Sequence, residues 1–230
     1  MRLVICTPAF NANLTVPYVT SLLETYTHLI AHGTVSDIQF HFLPTESLIT
    51  RARNKCAQFA IDGGFDYLMF IDADIAWKAS DLDLLLRSGR EIIGGTYPIK
   101  SLPMRLNFNP LPGQTEEFGE HRDMAAFEQY RAKYAASTGE VEVAHIPTGF
   151  MLIDVNVFRA LVIRGKVEHY TTFQIDTGEV KEYHDFFPTR IENDRYESED
   201  WAFCSIAREA GFKVYLQTQI VCRHLGNYLY

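Results

Sequence analysis

Residues 65–74 read FDYLMFIDAD, in which an apolar run of bulky side chains after Asp66 ends in two carboxylates one residue apart. The run from Tyr67 to Ile71 is typical of a strand that is buried on both faces. Asp72 and Asp74 follow at the carboxyl end of that strand, which is where open α/β sheets bind their ligands. Residues i and i+2 of an extended chain point to the same side, so both carboxylates can address one cation. Hard oxygen ligands of this kind favour Mg²⁺ or Mn²⁺, and the alternative is a solvated turn after the strand.

The composition predicts one globular domain and argues against nucleic acid as a partner. The chain has 230 residues, of which 47% are hydrophobic, and this is enough to bury a substantial core. Its formal net charge is -8, and it contains no run of Lys or Arg. An acidic chain without such a run is poorly suited to bind a phosphate backbone tightly.

The cysteines and the apolar segments predict a cytoplasmic protein. Cys6, Cys56, Cys204 and Cys222 are scattered without a CxxC pair, which favours buried free thiols in a reducing compartment. The apolar run at the N-terminus is too short for a signal peptide, and we expect no membrane span anywhere in the sequence.

The first hundred residues alternate between strand and helix patterns. We predict strands at 3–6, 38–43, 67–71 and 91–94, and helices at 14–32, 47–62 and 80–87. This alternation indicates a parallel sheet covered by helices, similar to a nucleotide-binding half-domain. No GxGxxG follows the first strand and no GxxxxGK[ST] occurs, so NAD-binding and P-loop proteins lose their main support.

The remainder of the chain is less regular. We predict strands at 141–146, 150–153, 213–217 and 219–224, helices at 156–164 and 199–210, and a further helix within 122–134. Residues 165–198 are polar, aromatic and charged, which we interpret as a long mobile loop near a site.

Several short motifs occur in an order that resembles one family. They are Thr7-Pro8, Ala52-Arg53-Asn54, Asp72-Ala73-Asp74, Gly94-Gly95-Thr96-Tyr97-Pro98, Thr148-Gly149, Ser198-Glu199-Asp200 and His224-Leu225-Gly226. Together they resemble compact viral and bacterial GT-A-fold glycosyltransferases that use nucleotide sugars, of the family 2 type. The resemblance implies an α/β fold with a mainly parallel central sheet flanked by helices. It implies a single domain over 1–230, with a nucleotide-sugar-binding half at 1–100 and an acceptor-binding, catalytic half at 101–230. A viral chain of this kind would act in the host cytoplasm.

The resemblance assigns a metal site that takes Mn²⁺ or Mg²⁺. Asp72 and Asp74 correspond to the DxD motif, in which Asp74 is the direct ligand and Asp72 contacts the ribose or reaches the metal through water. His224 corresponds to a further metal ligand. The alternatives are turn or cap acids for the two aspartates, and a packed or solvated histidine for His224.

The resemblance also assigns the catalytic pair Glu199 and Asp200. Asp200 corresponds to the base that deprotonates the acceptor hydroxyl in an inverting transfer, and Glu199 binds the acceptor or orients Asp200. Acids at the start of a helix are also stabilised by its dipole, so these two side chains have a purely structural interpretation as well. A retaining enzyme of the same fold can carry acids at this position, so both stereochemical outcomes stay open.

The donor is implied to be a nucleotide diphosphate sugar, with a UDP-sugar first among the candidates. The contacts implied for its nucleotide are Thr7, Pro8, Ala9, Glu46, Arg53, Asp72, Ala73 and Tyr97. The turn at Thr45-Glu46 departs from the acidic Asp-Asp-Gly-Ser type that is commoner after this strand. The acceptor is expected to be a glycan or another molecule with a free hydroxyl.

Three other functions compete with glycosyl transfer to a glycan. A nucleotidyltransferase should have a basic, Gly-rich loop after the first strand, and residues 7–12 read TPAFNA instead. Glycosylation of modified bases in phage DNA is disfavoured by the net charge of -8. A binding module without catalytic activity is disfavoured by the presence of Asp72, Asp74, Asp200 and His224 together.

Overall fold

A computed structural model describes residues 1–114, 123–133, 137–173, 178–192 and 194–226. The strands are β1 Arg2–Pro8, β2 Asp37–Leu43, β3 Tyr67–Ile71, β4 Ile75–Ala76, β5 Ile92–Thr96, β6 Glu140–Val143, β7 Phe150–Asp154, β8 His169–Phe173, β9 Val180–His184, β10 Arg190–Glu192, β11 Arg195–Glu197, β12 Val214–Val221 and β13 Arg223–His224. The helices are α1 Val16–Ala31, α2 Ile49–Asp62, α3 Ala79–Ser88, α4 Met124–Lys133, α5 Val155–Ile163 and α6 Glu199–Glu209. The expected strand–helix alternation of the first hundred residues is therefore present.

The predicted central strand β3 lies inside a seven-stranded sheet with the order β2-β1-β3-β7-β5-β12-β6. Five strands run in one direction, and β7 and β6 run in the other. Leu68 and Phe70 of β3 belong to the core on one face of the sheet, whereas Met69 and Ile71 belong to the core on the other face. Because both faces are covered, the strand is apolar at every central position.

The helices divide between the two faces of the sheet. Apolar side chains of α2, α5 and α6 pack in the first core, and those of α1 and α3 pack in the second. The mainly parallel α/β sheet flanked by helices agrees with the predicted fold class.

The position of β7 differs from the simplest expectation for the first hundred residues. This strand comes from the second half of the sequence and pairs antiparallel with both β3 and β5. Met69 lies opposite Leu152 in this pairing. Strands from residues 1–100 and 101–230 therefore share one sheet, and the division into a donor half and an acceptor half stays a prediction.

The long loop predicted over 165–198 is wrong for the residues that the structure describes. This segment contains two antiparallel hairpins, β8 with β9 and β10 with β11. Their strands are short and largely exposed, so they lack the apolar alternation from which half-buried strands are recognised.

The cysteines agree with the sequence-based prediction, since all four are buried and none forms a disulfide. Across the described residues, no helix combines the length and the apolar character needed to span a bilayer.

Candidate active site

A cleft of about 470 Å³ opens beyond the carboxyl ends of β1 and β3. It is lined by Pro8, Asn13, Leu14, Thr15, Ile49, Arg53, Asp72, Ala73, Asp74 and Glu199. Six of these residues were predicted to belong to the site, and the structure brings them together. The others carry no chemical signal in the sequence, although Thr15 has a clear role because its backbone N–H donates to the Ala73 carbonyl over 3.1 Å.

A short ribbon of two strands brings His224 to the acidic motif. β4 follows the motif directly, and β13 pairs with it so that His224 lies opposite Ile75. The backbone N–H of Leu225 donates to the Asp74 carbonyl over 2.8 Å, and His224 Nε2 lies 3.6 Å from Asp74 Oδ2. Residues that are remote in sequence therefore face each other across the ribbon.

The second ring nitrogen of His224 defines its tautomer. Nδ1 lies 2.8 Å from the carbonyl oxygen of Pro98, which can only accept a hydrogen bond. Nδ1 therefore carries a proton, and Nε2 is the ring nitrogen that faces Asp74. This arrangement suits a metal ligand, because a neutral imidazole binds metals through its unprotonated nitrogen.

Asp74 is held ionised by two neighbouring groups. Burial alone would raise the pKa of Asp74, but hydrogen bonds from His224 and Lys100 hold the pKa below its usual range. The Lys100 ammonium contacts Asp74 Oδ2 directly, so it places a positive charge at the carboxylate that the sequence assigns to a cation. No sequence motif indicated this contact between Lys100 and Asp74.

The residues present fit a divalent cation bound by two protein ligands. Asp74 and His224 offer one hard oxygen and one imidazole nitrogen, a donor set that suits Mn²⁺ and accommodates Mg²⁺. Within the described ranges, no group of three or more His, Cys, Asp or Glu side chains is arranged to hold a metal ion. A substrate or water would therefore have to complete the coordination.

Arg53 forms the buried positive wall of the cleft. Its side chain is 3% exposed, and its Nη2 donates to Asp72 Oδ1 over 2.9 Å while its Nε lies 3.5 Å from Glu199 Oε1. Burial would lower the pKa of Arg53, but the two carboxylates raise it. Its Nη1 is buried and has no hydrogen-bond partner in the structure, so the guanidinium keeps a donor in reserve.

Gly149 makes room for the groups behind the acidic motif. A Cβ atom at Gly149 would lie 2.2 Å from the Tyr97 hydroxyl oxygen and 2.8 Å from Asp72 Oδ2. Tyr97 is buried and packs edge-on against the His224 ring, with the two centroids 4.9 Å apart. Burial and the carboxylates of Asp72 and Asp200 raise the pKa of Tyr97. Tyr97 therefore packs against His224 and lies near Asp72, and it does not line the cleft itself.

Asp200 occupies the first turn of α6 and has an unusual environment. Burial and the neighbouring Glu199 raise the pKa of Asp200 to about 6. Its Oδ1 accepts hydrogen bonds from the Ser198 hydroxyl and from the backbone N–H of Trp201, the latter over 2.9 Å. A carboxylate with this pKa is ionised at neutral pH and basic enough to take a proton.

Besides Tyr97, three of the predicted nucleotide contacts lie outside the cleft surface. Thr7 is buried with its hydroxyl 2.5 Å from the Tyr18 hydroxyl, and the Ala9 N–H donates to the Leu43 carbonyl over 2.9 Å. Glu46 accepts hydrogen bonds from Arg51 and Lys55. Although burial alone would raise the pKa of Glu46, these bonds lower it to about 2. The assignment of all three residues to the nucleotide stays a prediction.

A larger cavity of about 800 Å³ lies beside α3 and α4, and none of the predicted site residues lines it. The smaller cleft is the better candidate active site, because it is lined by Asp74, which faces His224, and by the buried guanidinium of Arg53.

Comparison with solved structures shows that the chain has a GT-A-like glycosyltransferase fold. Among solved structures, the protein A197 from STIV is similar over 98% of this chain and 86% of its own, with 15% identity and a TM-score of 0.54. GalNAc-T7, solved with UDP, GalNAc and Mn²⁺, matches 98% of this chain and 44% of its own, with 11% identity and a TM-score of 0.48. TarS 1-349 of S. aureus matches 96% of this chain and 60% of its own, with 12% identity and a TM-score of 0.44.

The sequence itself matches no family model and no curated protein. At the identities found among solved structures, the similarity concerns the fold alone.

Proposed function

We propose that this protein transfers a sugar from a nucleotide diphosphate sugar to a hydroxyl group of an acceptor, which we expect to be a glycan. One observation carries the proposal: His224 faces Asp74, and Asp74 lines a cleft whose wall includes the incompletely hydrogen-bonded guanidinium of Arg53. A sugar nucleotide gathers negative charge on its diphosphate as the glycosidic bond breaks. The cleft offers two means of stabilising that charge, a cation site and a buried arginine.

Asp74 and His224 would hold Mn²⁺ or Mg²⁺. When bound there, the cation supplies Lewis-acid stabilisation of the leaving diphosphate. Arg53 holds Asp72 in place through its Nη2 donor, and its Nη1 donor is suited to a phosphate or ribose oxygen of the nucleotide sugar.

Asp200 is proposed as the base of an inverting transfer. Its carboxylate takes the proton of the acceptor hydroxyl while that oxygen forms a bond to the anomeric carbon. The bond between the anomeric carbon and the diphosphate oxygen breaks at the same time, and the diphosphate leaves with the electron pair. Glu199 contacts Arg53 and lines the cleft, and its negative charge helps to raise the pKa of Asp200.

The direct test is calorimetric titration with a panel of nucleotide sugars, including UDP-sugars, with and without Mn²⁺. We expect metal-dependent binding that Asp74→Ala abolishes. We also expect Asp200→Asn to bind the donor normally while its turnover falls about 10²- to 10⁴-fold, the usual contribution of a general base.

Asp194→Asn is the matched control. This exposed residue has a φ of 60°, which asparagine tolerates, so the variant should behave as wild type. The proposal fails if no nucleotide sugar binds in a metal-dependent manner. Full turnover by Asp200→Asn would remove Asp200 from the role of base.

A further inference from the structure

A further cavity, which we call the hairpin cavity, lies between the β10–β11 hairpin and the start of α6. Its volume is about 410 Å³, and it is lined by Asn109, His145, Glu192, Arg195, Tyr196, Glu197 and Trp201. Tyr196 is 70% exposed, although a tyrosine side chain this large is usually at least partly covered. Tyr196 therefore presents most of its aromatic side chain to solvent at this cavity.

The hairpin cavity and the candidate active-site cleft share the first turn of α6. Glu199 lines the cleft, whereas Trp201 lines the hairpin cavity. Successive residues of a helix are rotated by about 100°, so these two side chains leave the helix in nearly opposite directions. Asp200 lies between them in sequence, and the Trp201 N–H donates to its carboxylate. The hairpin cavity therefore adjoins the same helical turn that carries the proposed base.

Trp201 is held by a stacked histidine. The rings of His145 and Trp201 have centroids 5.0 Å apart and are nearly parallel, at 9°. Burial lowers the pKa of His145 to about 4, so this imidazole is neutral at physiological pH. His145 Nε2 lies 3.0 Å from the Ser205 hydroxyl oxygen, and that hydroxyl donates to Glu197 Oε1 over 3.3 Å. The aromatic wall is therefore braced before any ligand arrives.

Among the described residues that line the hairpin cavity, Arg195 is the one with a positively charged side chain. Arg190 donates to both acidic side chains, to Glu197 over 2.7 Å and to Glu192 over 2.9 Å. Arg195 takes part in none of the ion pairs found among the described residues. The cavity thus combines exposed aromatic faces with a guanidinium that can donate to oxygen atoms of a ligand.

We propose that the hairpin cavity is the acceptor site and takes a sugar ring of a glycan. A sugar ring has an apolar face of C–H groups that can pack on Trp201 and Tyr196, and a rim of hydroxyls that needs polar partners. Arg195 supplies donors for that rim and favours a ring that carries a carboxylate. This inference rests on the proposed function, because it takes Asp200 as the base that receives the acceptor proton.

Saturation-transfer NMR with defined trisaccharides tests the proposal in the presence of UDP and Mn²⁺. The probes are maltotriose, cellotriose, chitotriose, mannotriose and trigalacturonic acid. We expect binding of at least one probe, weakened about fivefold or more by Tyr196→Ala through loss of aromatic contact. Arg195→Ala should weaken the acidic probe most.

Phe173→Ala is the matched control, since Phe173 is an aromatic residue of the other hairpin with 61% exposure. It should leave binding unchanged. Tyr196 and Arg195 are exposed, and unchanged thermal melting will show that their variants fold.

Two results would overturn the acceptor site: no probe binds the wild-type protein, or binding persists undiminished in both Tyr196→Ala and Arg195→Ala. Titration of the same samples with UDP and Mn²⁺ separates this failure from that of the proposed function. Metal-dependent UDP binding without any trisaccharide binding would remove the acceptor site and keep the donor site. Absence of both would remove both.

Discussion

The two aspartates of the acidic motif and Asp200 have different surroundings in the structure. Asp72 and Asp74 each contact a cationic side chain, Arg53 and Lys100 respectively. Asp200 accepts hydrogen bonds from neutral donors only, the Ser198 hydroxyl and the Trp201 N–H. The pKa of Asp74 is accordingly lowered, whereas that of Asp200 is raised to about 6. The same functional group is therefore prepared for binding positive charge in one place and for accepting a proton in the other.

The largest effect on the free energy of unfolding should come from removing the buried guanidinium of Arg53. We expect Arg53→Met to lower the free energy of unfolding by about 3 kcal/mol, because Asp72 and Glu199 lose their buried partner. Urea unfolding measures the change. Arg87→Met is the control, since this exposed arginine makes a surface pair on a helix and its loss should change the free energy of unfolding little. Equal losses in both variants would contradict the role given to Arg53.

A comparable effect of opposite sign is expected at Asp200. In the fold its pKa lies above the ordinary 3.8, so the ionised carboxylate destabilises the protein at pH 7.5. The contribution of Asp200 to the free energy of unfolding is greatest below about pH 4 and falls as the pH rises through about 6. Asp200→Asn should therefore gain up to about 3 kcal/mol at pH 7.5, from two pKa units, and nothing near pH 4.

Urea unfolding at the two pH values checks this difference at Asp200. Asp194→Asn should show no gain at either pH. A gain in Asp200→Asn that does not depend on pH would indicate better packing instead of a relieved charge.

The contrast also predicts an acidic limit of activity. If Asp200 is the base, kcat/KM should fall about tenfold for each pH unit below 6, because the protonated carboxyl cannot accept the acceptor's proton. Initial transfer rates between pH 4.5 and 8, at saturating Mn²⁺, measure the profile. A rate at pH 5 equal to that at pH 8 would show that Asp200 does not take the proton.

The smallest effect concerns Lys100, whose ammonium occupies the cation side of Asp74. We expect Lys100→Ala to tighten Mn²⁺ binding about two- to fivefold, because a partly exposed ion pair no longer competes with the metal. Titration with Mn²⁺ alone measures the dissociation constant. Lys213→Ala removes a surface pair with Glu142 elsewhere and should change nothing. Weaker Mn²⁺ binding in Lys100→Ala would mean that Lys100 supports the metal instead of competing with it.

The sequence predicts the parts of this molecule that depend on local pattern. β3 and the helices around it carry enough apolar periodicity to be recognised, and the acidic motif follows the strand directly. The insertion of β7 between β3 and β5 depends on pairing between remote segments, which no local pattern records. The β10–β11 hairpin was missed for a different reason, because its three-residue strands are too short and too polar to show a period.

The candidate site divides in the same way. Asp72, Asp74 and Arg53 were predicted to belong together, and the structure gathers them in one cleft. The contact of Lys100 with Asp74 and the enclosure of Glu46 by Arg51 and Lys55 depend on side-chain placement, which motifs do not describe.

The ribbon of β4 and β13 has a consequence for how the proposed metal site forms during folding. Asp74 follows β3, which pairs with β1 from the same end of the chain. His224 lies on β13, which follows β12, and β12 pairs with a strand that is remote in sequence. Pairing of such remote segments is slow relative to local structure formation. A partly folded chain with β1, β2 and β3 assembled would have only one of the two protein ligands. Tight metal binding would therefore appear late in refolding. The time at which it appears would report when β12 and β13 pair with the rest of the structure.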